Sequence, residues 1–540
     1  GYAFSLTPRG AEIDPCLRSW GKELGLETPK TPTCILFNEY EEFLSFGYEA
    51  KMMYTYMRGE EAQKHYFFEN FRMALCDRVI SRDVTIKAAN KKSMKALKVF
   101  TEALRFLKEH TLRTISENTA GRSFTASDFT WVLTAPVIWD PSAKQFMREA
   151  AAQAGMVTEG REHNLIIALE PEAAAVWCKK LPADGFITEN HDGEVLDLHP
   201  GTQYMVVDCG DETVGITVHE VLDGGTLKML HEVSRNDLGG QSVDRKFKEF
   251  LREIFCDGVW DEYEGNFPSE VQKIMDNFKL FKKRNEDVEF SCPFNLGILA
   301  QKRQEIEKFF ESVRGASWDE GFIRISKETL RSFFAESLKG ITDSLREILR
   351  KRLNIEYILL VGGYAENQIL RQQVIDQFGD QCKVLCPFRP QEAVMKGAVM
   401  LGRNPGLVAS RKSAFTYGFA GSERFDESKH KKGKKFTADG EEFYVGWNES
   451  RTYILCPLEK NQRAMNIKFY RAERKTLMYV DDWGVEEVGS FLVDMPETTE
   501  GKNAKVELEI RFGSTEITAT GTDLASGSVN SVRIDFMTKN

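Results

Sequence analysis

The pattern of hydrophobic and polar positions divides the chain into two parts with different periodicities. Up to about residue 403, apolar runs typical of buried strands alternate with segments whose apolar residues recur at helical spacing. After the sequence Arg403-Asn-Pro-Gly406, apolar and polar residues alternate with a period of two, first at 506–512 and again at 532–536. The first part therefore predicts an α/β domain, and the second part predicts a β domain.

Several segments of the first part carry the signals of amphipathic helices. In one of them, Asp140 can cap the helix, Pro141 can start it and Gly155 can end it. Packing against a core explains the apolar positions of the other helical segments, without any cofactor. These segments run from Met94 to Ile115 and over residues 247–255, 274–281 and 330–349.

One segment combines a strand pattern with residues suited to phosphate chemistry. Residues 204–219 read as two apolar strands joined by the acidic turn Asp208-Cys-Gly-Asp-Glu-Thr213. In an ordinary hairpin, Asp and Gly at such positions serve the geometry of the turn. The motif is therefore only a weak indication of nucleotide binding when it is taken alone.

Two distant segments end in residues that can complete the same site. Residues 165–169 form an apolar run that leads into the carboxylate of Glu170, and Pro171 follows at a position that favours the start of a helix. Residues 356–361 form a buried-strand pattern that ends in Gly362-Gly363, and a helical pattern follows from Glu366. The three segments in this order are a much more specific signal than any one of them.

These segments, together with other motifs in the same order, resemble the 70-kDa heat-shock protein family, and within it the divergent heat shock 70 kDa protein 12A/12B type. The ATPase domain of that family shares its fold with actin and sugar kinases. The matching motifs extend over nearly the whole chain. They are Leu133-Thr-Ala-Pro136, Gln153-Ala-Gly-Met156, Leu169-Glu-Pro-Glu-Ala-Ala174, Tyr204-Met-Val-Val-Asp-Cys-Gly210, Asp237-Leu-Gly-Gly240, Leu360-Val-Gly-Gly363, Lys396-Gly-Ala-Val399 and Thr416-Tyr-Gly418.

The resemblance implies an α/β fold with two domains. An actin-like (ribonuclease H-like), two-lobed ATPase domain is expected at residues 1–403, followed by a linker at 404–415. A β-sandwich-like domain is expected at 416–540, where it would bind a protein or peptide client. The sequence ends at Asn540 directly after the last predicted strand, so the expected domain has no helical lid.

The resemblance also implies a site for ATP or ADP with Mg²⁺. Asp208 is expected to hold the metal through water, Glu170 to order the same water network, and Arg72 to replace a catalytic lysine. The second phosphate loop, the glycines close to the nucleotide and the lysines of an adenosine-binding helix supply the other expected contacts. These residues are Gly210, Thr213, Gly239, Gly240, Gly362, Gly363, Lys279, Lys282 and Lys283.

Several departures from the family pattern predict weak or lost hydrolysis. Asp211 and Glu212 stand where the family has glycines, and a like charge about 5 Å from a phosphate costs roughly 3 kcal/mol at an effective dielectric constant of about 20. Magnesium reverses this effect if Asp211 becomes a ligand. Gly215 replaces an aspartate, and Lys279 aligns with a ribose-binding glutamate. The family's first phosphate loop, Asp-x-Gly-Thr-Thr, precedes the segment matching Gly1–Leu6 and is absent from this sequence.

Composition and charge limit the class of protein to which the chain can belong. The chain is 42% hydrophobic and 29% charged, which is typical of a globular protein, and its 540 residues are enough for several hydrophobic cores. A net charge of −10 argues against general nucleic-acid binding. The ten cysteines are scattered, and no segment reads as a signal peptide or a long apolar span, so we expect a cytoplasmic protein without a membrane span.

Three functions stay open on the sequence. The first is an ATP-binding chaperone-type protein that couples its nucleotide state to partner or peptide binding. The second is a nucleotide-insensitive scaffold, a pseudo-ATPase that keeps the fold and binds partners with or without ATP. The third is an actin-fold sugar or metabolite kinase, and the predicted β domain argues against it.

Overall fold

A computed structural model gives the fold of the chain. The structure describes most of the first 411 residues and a smaller share of those that follow. The described ranges are 1–7, 15–57, 60–76, 79–158, 160–187, 198–283, 286–411, 415–424, 426–429, 435–438, 441–448, 452–459, 462–474, 477–495, 503–512, 517–533 and 536–537.

The chain divides into two compact units. The first consists of Gly1–Arg78, Asp83–Asp140 and Met147–Ser410, and the second consists of Val79–Arg82, Pro141–Phe146 and Arg411–Asn540. The first unit contains most of the mixed α/β part of the sequence, and the second contains the part with period-two alternation together with two short segments of the α/β part.

The α-helices begin close to the positions that the sequence signals predict. Helix α4 starts at Pro141 as expected, and Gly155, with a positive φ of 71°, lies shortly after its end. The apolar run at 330–349 forms two helices instead of one. The helices are α1 Gly47–Tyr56, α2 Glu60–Lys64, α3 Ala96–Asn118, α4 Pro141–Gln153, α5 Glu170–Cys178, α6 Gly240–Ile254, α7 Val259–Asn266, α8 Pro268–Phe281, α9 Phe294–Gln301, α10 Ile306–Phe310, α11 Lys327–Ser332, α12 Ala335–Leu349, α13 Gln368–Phe378 and α14 Ala393–Arg403.

The strands of the first unit include the three segments singled out in the sequence. Met94, predicted to be helical, lies in a strand. Residues 408–410, within the predicted linker, form a strand as well. The strands are β1 Ala3–Phe4, β2 Cys16–Leu17, β3 Cys34–Phe37, β4 Phe43–Phe46, β5 Tyr66–Glu69, β6 Thr85–Lys87, β7 Ser93–Lys95, β8 Trp131–Ala135, β9 Leu165–Leu169, β10 Phe186–Ile187, β11 Gln203–Cys209, β12 Thr213–Val221, β13 Leu227–Asn236, β14 Val288–Ser291, β15 Ala316–Asp319, β16 Phe322–Ile325, β17 Ile355–Val361, β18 Lys383–Pro387 and β19 Val408–Ser410.

A seven-stranded sheet forms the centre of the first unit, in the order β10-β18-β17-β11-β12-β13-β19. Alternate residues of β11 enter different cores, because successive side chains of a strand point to opposite faces. Met205 and Val207 pack with α6, α8 and α12, whereas Tyr204 and Val206 pack with α5 and α14. Strand β11 runs parallel to β17, so Asp208 and the double glycine after β17 lie at the same edge of the sheet.

The described strands of the second unit form two antiparallel sheets around a common core. Val506, Leu508 and Ile510 are buried as the alternation predicts, but Phe512 is 45% exposed. Ile534, in the second predicted alternating segment, lies outside the described residues. The sheets have the orders β21-β22-β20-β24-β25 and β23-β26-β27-β28. Their strands are β20 Thr416–Arg424, β21 Lys435–Ala438, β22 Glu441–Asn448, β23 Thr452–Leu455, β24 Ala464–Ala472, β25 Val485–Asp494, β26 Val506–Phe512, β27 Ile517–Asp523 and β28 Val529–Arg533.

Candidate functional site

Glycine-bearing segments from distant parts of the chain meet at the ends of β11 and β17. Gly362 has a φ of +90°, and a Cβ there would collide with the Cys209 carbonyl oxygen and lie 2.6 Å from Asp208 Oδ1. A Cβ at Gly239 would lie 2.5 Å from the Asp211 carbonyl oxygen. Only glycine permits such close approaches of backbone. The glycines of both motifs are therefore needed to assemble this edge of the sheet.

The acidic turn between β11 and β12 is bonded to the first residues of α6. The Gly240 N–H donates to the Gly210 carbonyl oxygen at 3.1 Å, and the Gln241 N–H donates to the Asp211 carbonyl oxygen at 2.7 Å. The Gly210 N–H closes the turn by donating to the Thr213 carbonyl oxygen at 3.0 Å. Amides in the first turn of a helix are available for anions unless another group accepts from them. Two such amides of α6 are already engaged by the turn.

The carboxylate of Asp211 lies between the two glycine pairs. Its Oδ1 is 3.1 Å from the position that a Cβ would take at Gly240 and 4.0 Å from the equivalent position at Gly363. Asp211 is an exposed residue of the acidic turn, and this turn is bonded to the first residues of α6, where a negative charge interacts favourably with the helix dipole. The space that the glycines leave open thus holds an anionic side chain of the protein itself.

Arg72 and Glu170 form an ion pair beside this edge of the sheet. Arg72 Nη2 donates to Glu170 Oε1 at 2.8 Å, and the guanidinium carbon lies 5.3 Å from the centre of the Trp139 ring. Glu170 is the first residue of α5, where the helix dipole also favours its charge. Arg72 and Glu170, which were predicted for separate roles at the site, are therefore joined directly in this structure.

Two further carboxyl groups next to this ion pair have raised pKa values. Asp208 is 7% exposed, and this burial, together with the charge of Glu170, raises the pKa of its carboxyl to about 7. Burial also raises the pKa of Glu212 to about 7, against the opposing effect of Arg72. The site can therefore take up protons near neutral pH, and a bound cation would favour their release.

The raised pKa of Asp208 predicts that the protein loses stability as the pH rises from about 4 to about 7. In this range the folded state keeps a proton that the unfolded chain has released, and the loss is at most about 1.4 kcal/mol per pH unit. Melting curves of the wild type and of Asp208→Asn over this range measure the effect. We expect a shallower pH dependence in the variant, and equal slopes would contradict the raised pKa.

Gly215 lies opposite Asp208 in the antiparallel pair of β11 and β12. A Cβ at Gly215 would lie 3.2 Å from Pro171 Cγ, which is closer than ordinary van der Waals contact. Pro171 belongs to the first turn of α5. The position at which the family has an aspartate is thus packed against α5, and a longer side chain requires α5 to shift.

Lys282 and Lys283, predicted to flank adenosine, have different surroundings. Lys282 Nζ donates to Asp244 Oδ1 at 2.7 Å and to the Gly240 carbonyl oxygen at 2.9 Å, so it ties the end of α8 to the start of α6. Lys283 is 66% exposed and lies 3.8 Å from Glu366. Sequence reasoning missed Asp244, because nothing in the spacing of α6 indicates a partner at the end of α8.

Lys279, on α8, has no ion pair within 4.0 Å in the described part of the chain. Burial by itself would lower the pKa of its ammonium group, but nearby carboxylates outweigh burial and raise this pKa. The positive charge is therefore kept, at a position where the family has a carboxylate. The residues responsible are Glu69, Asp244, Asp276 and Asp211.

A cavity of about 530 Å³ lies beside Arg72 in the first unit. Its lining includes residues 1–5 and 128–134. Within the described residues, β1 pairs only with β2 and β8 pairs only with β9, so both lining segments carry a strand with an unpaired edge. The cavity thus lies beside two strands that each have an unpaired edge within the described residues.

Comparison with known proteins gives three relatives that support one class. The chain is 31% identical to heat shock 70 kDa protein 12A of Homo sapiens over an alignment of 611 residues, gaps included, and the alignment covers 99% of this chain and 90% of that protein. It is 30% identical to heat shock 70 kDa protein 12B of Homo sapiens over 620 residues, with 99% and 89% covered. It is 26% identical to the chaperone protein DnaK of Mycoplasmopsis pulmonis over 352 residues, with 64% and 50% covered. A scan against protein-family models finds no match.

The fold, the glycine-lined edge and these relatives define an actin-like ATPase fold followed by a β-rich C-terminal region. The chain belongs to the 70-kDa heat-shock protein family, as a divergent member of the 12A/12B type. This confirms the family predicted from the sequence. Membership indicates an ATP-binding, chaperone-like protein, in a family that in general binds nucleotide with Mg²⁺ and protein clients. No helix in the described residues is long and apolar enough to cross a membrane.

Proposed function

We propose that this protein binds ATP and ADP with Mg²⁺ and couples the nucleotide state to partner or peptide binding, with weak or lost hydrolysis. The observation that carries the proposal is the meeting of Gly239-Gly240 and Gly362-Gly363 at the edge of the sheet that bears Asp208. Glycines at both positions let backbone come close to a phosphate or a ribose. Residues 1–403 form the nucleotide domain of the proposal, and residues 416–540 bind the client, in the cytoplasm.

The residues at the site fit a magnesium nucleotide only in part. Asp208 and Glu170 are carboxylates suited to hold the metal through water, and the metal supplies positive charge that balances the phosphates. In this proposal Gly210 and Thr213 would form the second phosphate loop, but Asp211 brings a negative charge into the same space. The metal would have to compensate for that charge, either from a neighbouring position or with Asp211 as one of its ligands.

Weak hydrolysis follows from the surroundings of Arg72. A guanidinium neutralises phosphate charge, but it is a poorer group than a lysine ammonium for positioning a single water. The ion pair with Glu170 also neutralises part of the charge of Arg72 before any phosphate binds. Two amides of α6 already donate to carbonyl oxygens of the acidic turn, so they are not available to a phosphate. The surroundings of Arg72 therefore argue against fast turnover, whereas the engaged amides argue for weak phosphate binding.

We infer that the family's first phosphate loop, together with the strand that carries it, would occupy the 530 Å³ cavity. In the family, that loop comes directly before the segment matching residues 1–6. This segment and Arg72 both line the cavity, and β8 offers an unpaired edge. A strand in the cavity would bring its loop to the Arg72–Glu170 pair.

A nucleotide-insensitive scaffold is the second candidate. The observation that favours it is the Asp211 carboxylate in the glycine-lined space, together with the engaged amides of α6. In this case the site is closed to polyphosphates by the protein's own charge. Partner binding by the β-rich region would then be the same with and without ATP.

Isothermal titration of Mg-ATP and Mg-ADP distinguishes the two candidates. We would titrate the chain of residues 1–540 and a second form in which a strand bearing Asp-x-Gly-Thr-Thr is fused before Gly1. Micromolar binding in either form supports the proposal, and a gain in the fused form assigns the cavity to the first phosphate loop. Absence of heat in both forms supports the scaffold.

The Asp208→Asn variant separates binding from turnover in the same experiment. Asparagine keeps the shape of the side chain but removes the charge that would hold the metal and its water. We expect any steady-state ATP hydrolysis to disappear in this variant. Hydrolysis at the wild-type rate would show that the activity comes from a contaminating ATPase.

A further inference from the structure

Lys30 lies in the loop that leads into β3, a segment that the sequence did not mark as part of the site. Gly1 lies against this loop, because a Cβ at Gly1 would be 3.1 Å from Lys30 Cα. Three residues after Lys30, the Thr33 carbonyl oxygen accepts from the Asn70 N–H at 3.0 Å, and Asn70 stands two residues before Arg72. The loop therefore runs beside the part of the site that contains Arg72.

The backbone around Lys30 is fastened on both sides. The Thr28 hydroxyl donates to the Lys30 carbonyl oxygen at 2.7 Å. The Thr31 hydroxyl oxygen accepts from the Tyr48 N–H, in the first turn of α1, at 3.1 Å. Gly47, the first residue of α1, has a φ of +68°, and a Cβ there would collide with the Thr31 hydroxyl. The loop thus holds the start of the Lys30 side chain at a fixed place.

The ammonium group of Lys30 differs from the guanidinium of Arg72 in its surroundings. Lys30 is partly buried, and with the described residues its ammonium group forms no ion pair within 4.0 Å. Arg72, in contrast, is paired with Glu170 at 2.8 Å. A lysine ammonium binds phosphate as a compact point charge on a flexible stem. Lys30 therefore brings to the site a charge that no described carboxylate pairs directly.

Lys30 and Lys282 act on different ends of the site. Burial raises the pKa of Asp208, and Lys30 is the cation that opposes this rise most strongly. Burial also raises the pKa of Asp244 on α6, but there Lys282 is the cation that opposes the rise most strongly. Electrostatic influence falls with distance, so the two lysines lie near different carboxylates. Since Lys282 was predicted to flank adenosine, Lys30 marks the end at which the phosphates are expected.

We propose that Lys30 binds the γ-phosphate of ATP and supplies the cationic contact that Arg72, paired with Glu170, supplies only in part. The identity of this ligand rests on the proposed function. The γ-phosphate is the phosphate farthest from adenosine, and Lys30 lies at the opposite end of the site from Lys282. Because the loop is fastened before the ligand arrives, formation of the contact orders little backbone. Lys30 thereby makes the site prefer ATP to ADP.

Isothermal titration of Mg-ATP and Mg-ADP into the wild type and into Lys30→Gln tests this role. Glutamine keeps a polar side chain but removes the charge. We expect Mg-ATP to bind at least about tenfold more weakly to Lys30→Gln, and Mg-ADP to lose much less, because ADP has no γ-phosphate. Lys30→Arg keeps the positive charge and is expected to keep most of the preference for ATP; it also serves if Lys30→Gln does not fold, since a preference for ATP that is absent from both the wild type and Lys30→Arg contradicts the role.

Lys22→Gln is the matched control, because Lys22 is an exposed lysine eight residues earlier in the chain and its replacement removes the same charge. Both nucleotides are expected to bind to Lys22→Gln as they do to the wild type. An Mg-ATP affinity that is unchanged in Lys30→Gln would overturn the proposal. Equal weakening of ATP and ADP binding would overturn it as well, since a general loss of charge or of folding has that result.

Magnesium tripolyphosphate, which has no nucleoside, separates the failure of this role from the failure of the proposed function. Tripolyphosphate binding that weakens in Lys30→Gln but not in Lys22→Gln, in a protein that binds neither nucleotide, supports the phosphate contact and refutes the proposed function. Nucleotide binding that is the same in the wild type and Lys30→Gln refutes only the role of Lys30. Absence of binding of all three probes to the wild type overturns both.

Discussion

Replacement of Asp211 and Glu212 by glycine is expected to tighten the binding of Mg-ADP by on the order of a hundredfold. The Asp211 carboxylate lies between Gly240 and Gly363, in the space that a phosphate would share. Most of the gain is expected from Asp211, because the pKa of Glu212 is raised to about 7 and its carboxyl is partly protonated at neutral pH. Isothermal titration of the double variant against the wild type measures the change.

Single variants separate the charge of Asp211 from the space that it fills. Asp211→Asn removes the charge and keeps the volume, so it should give most of the gain if electrostatic repulsion is the obstacle. An affinity that is unchanged in the double variant would remove both residues as the cause of weak binding. Weaker binding in Asp211→Asn would instead make Asp211 a ligand of the metal.

The local parts of this fold are those that the sequence predicts best. The strands around the acidic turn, and the helix that starts next to Pro171, follow from alternation and from the conformational preference of proline, which act over a few residues. The helix expected from Glu366 begins at Gln368 instead, because the Asn367 side chain caps it by accepting from the Ile369 N–H. The double glycine is followed by a short 3-10 turn, which helical periodicity does not distinguish from the helix itself.

The contacts between distant segments are the parts that the sequence does not predict. The resemblance brought Arg72 and Glu170 to one site, but their direct ion pair depends on packing between residues 98 positions apart. Lys51 forms ion pairs with Glu69 and Asp276, although all three look like ordinary solvated positions in the sequence. Charged residues carry no periodic signal for their partners, so such pairs emerge only when the elements are packed.

Replacement of Gly397 by alanine is expected to destabilise the first unit by about 3 kcal/mol or more and to lower its melting temperature by several degrees. Gly397 lies in α14, and a Cβ there would overlap the Ala173 carbonyl oxygen of α5. The two helices must then separate, because the obstacle is backbone and not a flexible side chain. Thermal denaturation, followed by circular dichroism, measures the loss.

Gly265→Ala is the matched control, because Gly265 also lies in a helix but has no atom within 4 Å of its Cβ position. There the exchange is expected to be neutral or stabilising by up to about 1 kcal/mol, since alanine is the better helix former. Equal melting temperatures for Gly397→Ala and the wild type would contradict the close packing of α5 and α14. Because α5 begins at Glu170, a shift of this helix should also weaken the Arg72–Glu170 pair. The packing of α14 against α5 therefore affects the position of Glu170 at the site, although neither Gly397 nor Ala173 is expected to touch a ligand.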